Sequence, residues 1–226
     1  MKNILISTAL LLCTLGLFAE ETVVAEWDFS KEALTSGKYI LLKRGKAAFV
    51  EDAERGKALA PCPVFENIST PAGLRLKQLA PELTATTGFE WQCSVKWKMP
   101  EQAPEKGFSM ILADSAYASK TGAQLLLFIT PKKECQLRLV VGTGEKFETS
   151  TNDAGFLADG KWHDISVRYE DGDFAIKVDN NLLQLFTPTK PMAASNKVYF
   201  SIGDRSAASY VPFLGLIGKF KVIAIQ

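Results

Sequence analysis

The 226-residue chain has one histidine, four cysteines and no excess of either charge. Each shortage excludes something. With 26 Lys and Arg against 25 Asp and Glu, there is no electrostatic case for nucleic acid or an anionic lipid surface as partner. The basic clusters, Lys43-Arg44 with Lys46 and Lys132-Lys133, are short and read as solvated surface. There is no Cys-x-x-Cys and no second histidine to complete a zinc site. Gly142-Thr143-Gly144 lacks the third glycine of a dinucleotide fingerprint and the lysine context of a phosphate loop, so it reads as a hairpin turn. After Phe18 no segment is apolar enough to cross a membrane.

The apolar run that does exist stands at the start. Met-Lys-Asn is followed by Ile4 to Phe18, interrupted only by Ser7, Thr8, Thr14 and Gly16, and then by Ala19 and the pair Glu20-Glu21. That is the pattern of a secretory leader over residues 1–19, shorter than the roughly 20 residues that span a bilayer. Leu12 in front of Cys13 does not suit a lipid-anchored cysteine. The expected mature protein is a single domain over residues 20–226, secreted or placed in the periplasm or at the cell surface. Removing the first 19 of 226 residues leaves 207, enough for one sizeable core. The loss of Lys2 also brings the two charge signs level. Cys62, Cys93 and Cys135 then remain, an odd count that excludes a disulfide framework. Cys93 and Cys135 lie on apolar faces, where buried thiols are expected.

What the chain has in abundance is alternation. In "FEWQCSVKWKM", Phe89, Trp91, Cys93, Val95, Trp97 and Met99 alternate with Glu90, Gln92, Ser94, Lys96 and Lys98. This is a strand with one buried and one wet face. "CQLRLVV" and "VVAEWDFS" repeat the pattern, and further strands are expected over Ser109–Ala113, Ala123–Thr130, Lys146–Thr151, Val198–Ile202 and Leu216–Ile225. Helical period is confined to a turn or two near Leu76–Leu83. Many strands at close spacing, without a strand–helix rhythm, mean a β-sandwich or barrel.

The lone histidine sits in "ADGKWHDISVRYEDGDFAIKVDNNLL". Asp171-Gly172 is a two-residue hairpin turn, glycine accepting the positive φ required there. Counting outward, Tyr169 faces Phe174, Val167 faces Ile176 and Ile165 faces Val178, with His163 on the same side near Asn180. Asp164 points the opposite way, so His163 and Asp164 cannot act together on one substrate atom. His163 is read as a packed histidine with one hydrogen-bonded nitrogen; Trp162, Asp171 and Gly172 are likewise read as structural.

This stretch also resembles the Asp-Gly-x-Trp-His segment of laminin G-like domains in the concanavalin A-like lectin/glucanase superfamily. "VVAEWDFS" is similar to the family's first strand, "GFEWQCSVKWKMP" to the strand opening its second half, and "VYFSIGDR" with "FLGLIGKFKVIAI" to its closing strands. The likeness covers most of Val23 to Ile225 and is weak from Lys38 to Pro81. Asn180 stands where the family usually has glycine, and asparagine also tolerates a left-handed conformation. The resemblance implies an all-β, two-sheet antiparallel jelly-roll β-sandwich with its first and last strands adjacent. It does not imply one function, since such folds serve as adhesion modules, sugar-binding modules, calcium-dependent receptors and glycosidases.

Laminarinase-type relatives carry Glu-x-Asp-x-x-Glu on one strand, whereas "EWDFSKE" offers Glu26, Asp28 and Glu32, the last one residue late and on the opening strand. A retaining glycosidase needs two carboxylates about 5.5 Å apart, and no catalytic residue is assigned. Candidate ligand-binding residues lie instead on two loops: Asp114 and Tyr117 in "ADSAYASKTG", and Asp204, Arg205 and Tyr210 in "GDRSAASYVPF". Loop tyrosines stack on sugar faces, and Asp114 or Asp204 with nearby carbonyls are the candidates for a calcium ion. The tryptophans are read as core, Trp27, Trp91 and Trp97 standing on apolar faces. The function expected is a non-catalytic binding or interaction module whose partner is a glycan or an extracellular protein. The alternatives are a glycan-active enzyme and a structural envelope protein.

Overall fold

The computed structural model describes residues 20–63, 70–84, 87–100, 106–116, 119–195, 199–206 and 211–226. In chain order its strands are β1 (Glu21–Asp28), β2 (Thr35–Ser36), β3 (Tyr39–Lys43), β4 (Ala48–Asp52), β5 (Gly56–Ala60), β6 (Leu74–Leu76), β7 (Gly88–Lys98) and β8 (Phe108–Asp114). They continue with β9 (Ala123–Ile129), β10 (Cys135–Gly142), β11 (Phe147–Asp153), β12 (Asp159–Glu170), β13 (Asp173–Val178), β14 (Asn181–Phe186), β15 (Ser201–Ile202) and β16 (Leu216–Ile225). Helical structure among the described residues is limited to short 3-10 turns such as Pro81–Thr84, where a turn or two was expected.

The strands form two eight-stranded antiparallel sheets. The first runs β14-β13-β12-β7-β16-β5-β4, with β1 also on β16; the second runs β11-β10-β9-β8-β15-β6-β3-β2. This is the two-sheet jelly roll that the strand pattern and the family resemblance imply. The first and last strands pair, Glu21 opposite Ile225 and Trp27 opposite Phe220.

Period two decides what lies between the sheets. On β7, Phe89, Trp91, Cys93, Val95 and Trp97 are all buried. Neighbouring strands of the same sheet add Trp27, Tyr169, Phe174 and Phe220, the Phe89 ring lying 5.8 Å from Tyr169 and 5.0 Å from Trp91, and the facing sheet adds Met110, Leu112, Leu125, Leu127, Leu137 and Leu139. Each fully buried side chain of this size stabilises the fold by about 1.5–3 kcal/mol relative to exposure. All three described cysteines are buried, and burial pushes the Cys93 and Cys135 thiols up to about 12.

The hairpin takes the register read from its turn: Tyr169 pairs with Phe174, Val167 with Ile176 and Ile165 with Val178. Asp171 and Gly172 have φ of 51° and 92°, the positive values such a turn needs. Asn180 has φ of 64°, so asparagine fills the left-handed position where glycine is usual in the family.

Candidate functional site

The outward residues of the first sheet line up across its centre. One row runs Lys177, Ser166, Gln92, Lys221 and Glu26, each opposite the next on neighbouring strands. The next row runs Asp164, Ser94, Lys219 and Asp28. Between Lys177 on one side and Lys219 with Lys221 on the other lies a trough of about 350 Å³, floored by Gln92, Ser94 and Ser166. A second hollow, lined in part by Arg55 and Gly218, shares Ser94, Asp164 and Lys219 with the first, so the two are continuous.

Ser94 is the unusual member. It is only 4% exposed, and its Oγ is buried without a hydrogen-bond partner among the described residues. A buried hydroxyl left unpaired costs about 1–3 kcal/mol. Its neighbours on the same face are already engaged. Glu90 accepts from Gln92 at 2.9 Å and lies 3.5 Å from Arg168, and Lys219 holds Glu26 at 2.6 Å.

At one end of the trough stands Trp162, opposite Lys96 at a register shift in β12. Reading it as core was incorrect, because it has the opposite parity to the inward set and projects from the open face. Its Nε1 donates to Asp52 Oδ1 at 3.0 Å, and Lys96 donates to Asp52 Oδ2 at 2.9 Å. Burial raises the Asp52 pKa, but the bonds from Lys96, Trp162 and the amides of Arg55 and Glu54 outweigh it and bring the carboxyl to about 2.

His163 differs from expectation in its bonding. Both ring nitrogens are engaged, Nδ1 with Asp179 Oδ2 at 2.7 Å and Nε2 with Asp159 Oδ1 at 3.2 Å, while Phe156 packs edge-on at 5.8 Å. The shift between Asp159 and Trp162 brings Asp159 within reach, which strict alternation does not anticipate. Burial lowers the His163 pKa, but the two aspartates more than reverse this and raise it. Asp164 makes no bond to the ring; its side chain is 70% exposed and lies 3.8 Å from Arg55.

The loop candidates have other surroundings. Asp114 is fully buried: Oδ1 accepts from Ala116 N and Gln124 Nε2, both at 3.0 Å, and Oδ2 from Ser206 N at 2.6 Å and Ser206 Oγ at 2.7 Å. Asp204, also fully buried, accepts from Val211 N at 2.8 Å and Ala72 N at 3.0 Å, with Arg44 at 3.7 Å. Donors saturate the Asp114 carboxylate and engage both oxygens of Asp204, so the two aspartates anchor loops, whereas a calcium ion needs several oxygens converging with free lone pairs. Among the described residues no three acids, cysteines or histidine cluster as a metal site. Arg205 is exposed, and its carbonyl accepts from Arg44 Nη1 at 2.8 Å. Tyr117 and Tyr210 lie outside the described residues.

The acids of the opening strand are also spoken for. Asp28 caps the turn after β1, accepting from Ser30 N at 3.1 Å and Ser30 Oγ at 2.6 Å, and Glu32 pairs with Lys57.

Sheet order, register and the closing β1–β16 pair define a jelly-roll β-sandwich of the concanavalin A-like class. Residues 111–222 match the family model of the laminin G domain. Over that span the chain is similar to laminin G domains. No curated protein matches it in sequence. Among solved structures it is similar to domain 4 of AbnA, a GH43 extracellular arabinanase from Geobacillus stearothermophilus, in complex with arabinotriose. That likeness has 16% identity, covers 91% of this chain and 94% of that one, and has a TM-score of 0.58. It is also similar to the botulinum neurotoxin type G receptor binding domain, at 10% identity over 88% of this chain, with a TM-score of 0.59. The enzymatically active domain of tailspike protein 2 from bacteriophage CBA120 gives 14% identity over 87% of this chain, with a TM-score of 0.59. The chain spans 47% of the neurotoxin domain and 30% of the tailspike domain. At these identities the likeness is one of fold.

Proposed function

We propose that this protein is a secreted, non-catalytic binding module of laminin G type that holds a glycan in the polar trough on the open face of its first sheet. The observation that carries this reading is the Ser94 hydroxyl, without a partner among the described residues, in a floor shared with Gln92 and Ser166. A hydroxyl-rich ligand satisfies such groups at once, and the lysines at the sides suit the same chemistry. The leader-like residues 1–19 support export, and a sandwich that binds arabinotriose in the AbnA structure is a precedent for sugar on this fold.

The acids argue against hydrolysis. Glu90 lies opposite Arg168 and Asp164 opposite Ser94. Glu90 and Asp164 are thus four strand positions apart, about 13 Å, beyond the roughly 5.5 Å of a retaining site and the 6.5–9.5 Å of an inverting one. Asp28, held below the usual carboxylate range chiefly by the Ser30 hydroxyl, is no proton donor near neutral pH.

A glycan array with and without a calcium chelator tests the proposal. Binding that survives the chelator and falls at least about tenfold in Ser94→Val, as expected when a buried group loses its partner, supports it. Binding to no glycan, or binding indifferent to Ser94→Val, refutes it.

A further inference from the structure

We infer that Trp162 is a stacking platform for a pyranose ring at the end of the trough, and that Arg55 covers it when no sugar is bound. This rests on the glycan reading of the trough. The indole lies against Gly218: a Cβ there would stand 3.2 Å from Cζ3 and 3.3 Å from Cη2, and 3.0 Å from Ser94 Oγ. A glycine on β16 thus lets the ring lie down on the sheet. Over the ring stands the Arg55 guanidinium, 4.5 Å from its centroid, with the Lys96 ammonium at 6.0 Å.

The cover is held by little. Arg55 is exposed, and its ion pair with Asp164 at 3.8 Å joins two exposed side chains, which is worth almost nothing in water. What is firmly held is the framework. Asp52 Oδ1 accepts the indole N–H and the backbone amides of Glu54 and Arg55, all at 3.0 Å. One carboxylate therefore fixes both the ring and the backbone that carries its cover. The Arg55 side chain swings away without any backbone change, and the hollow it lines opens directly to Ser94.

An aromatic face bordered by hydrogen-bonding groups suits a ring with an apolar face and hydroxyls at its edge, which is the chemistry of a hexopyranose. The charged cover explains how a large aromatic surface stays shielded from water in the free protein, where an exposed apolar patch would invite association.

Iodide quenching of tryptophan fluorescence tests this, because Trp27, Trp91 and Trp97 are at most 2% exposed and the quenchable signal belongs to Trp162. Wild type, Arg55→Ala and Trp162→Phe are titrated with cellotriose, laminaritriose, galactotriose and xylotriose, with Ser94→Val in parallel. The expected result is that Arg55→Ala raises the quenchable signal and tightens binding about two- to fivefold, the reach of an exposed cation–π contact. Bound saccharide should then suppress the quenching, and Gly218→Ala, which lifts the ring, should weaken binding. Unchanged quenching in Arg55→Ala, weaker or equal binding, or no suppression by a bound saccharide overturns the platform. If saccharides bind and Ser94→Val weakens them while Arg55→Ala does nothing, only the platform falls. If no saccharide binds wild type or Arg55→Ala, the glycan reading falls with it.

Discussion

The indole of Trp162 donates to the carboxylate of Asp52 at 3.0 Å, across 110 positions of sequence. This bond ties the turn between β4 and β5 to the outward face of β12, and the trough ends where it stands. Lys96 completes the arrangement from β7.

Replacing Asp52 by Asn should therefore cost about 1–3 kcal/mol, the range for breaking a buried hydrogen-bonded group, and should loosen the Arg55 turn. The pH dependence follows from the folded pKa of about 2 against the ordinary 3.8. A depressed carboxyl contributes stability that is complete above the unfolded value and is lost as pH falls through the folded one. Denaturant melts between pH 5 and 2 should show that loss in wild type and a smaller one in Asp52→Asn. Identical acid profiles would show that the carboxylate does not hold this junction.

His163 gives the opposite sign. Its pKa is raised because Asp179 and Asp159 outweigh burial, so its contribution is complete below the unfolded value near 6.5 and fades as pH rises through the folded one. His163→Gln should lower stability by about 1–2 kcal/mol, most clearly near pH 5.5, and leave glycan binding intact. Thermal melts from pH 5 to 9, paired with a binding titration, check this. An unchanged melting point together with lost binding would move the histidine from the wall into the site.

How much of this the sequence carried depends on the length of its patterns. The alternation of Phe89 to Met99 fixes β7, and Asp171-Gly172 fixes the β12–β13 register. The stretch from Lys38 to Pro81 was opaque because β3, β4 and β5 have five residues each and β6 has three, too few for period two to declare itself. Part of it is joined by close backbone contact: Arg44 N donates to Gly73 O at 3.0 Å, and Gly73 N to Pro61 O at 3.1 Å. The trough was harder still. Glu90, Gln92, Ser94 and Lys219 each look like one side of a wet strand, and only the pairing of Ser94 with Asp164 and Lys219 makes them a floor. Trp162 was legible, since it shares parity with Asp164, and that signal pointed outward. Asp114 and Asp204 looked like loop ligands because sequence does not show which loop carboxylates turn inward to hold backbone amides.

Gly45 is the sharpest test of the region that sequence left blank. It has φ of +53°, and a Cβ there would stand 1.7 Å from the Pro71 carbonyl oxygen, far inside contact distance. Gly45→Ala should cost at least about 2 kcal/mol, combining left-handed strain with the clash. A control at Gly37, with φ of +54° and open space around it, should cost only the strain, about 1 kcal/mol. Equal melting points for the two variants would show that the contact with Pro71 is not made.

The last expectation is that the protein hydrolyses no glycan. Glu26 and Asp28 share a face of β1, the same-strand acidic pair in which a retaining mechanism would be sought. Glu26 is held by Lys219, and Asp28 by Ser30 and by Lys31 at 3.3 Å. The Ser30 hydroxyl holds Asp28 below the usual carboxylate range, the opposite of the raised carboxyl that a general acid requires. A reducing-sugar assay over laminarin, agar, carrageenan and xylan should give no turnover, in wild type or in Glu26→Gln, Asp28→Asn. The double variant frees Lys219 from its carboxylate, so its expected effect is on binding in the trough, read as an altered salt dependence of saccharide affinity. Turnover in wild type that vanishes in the double variant would place a catalytic pair on the opening strand and overturn the binding-module reading.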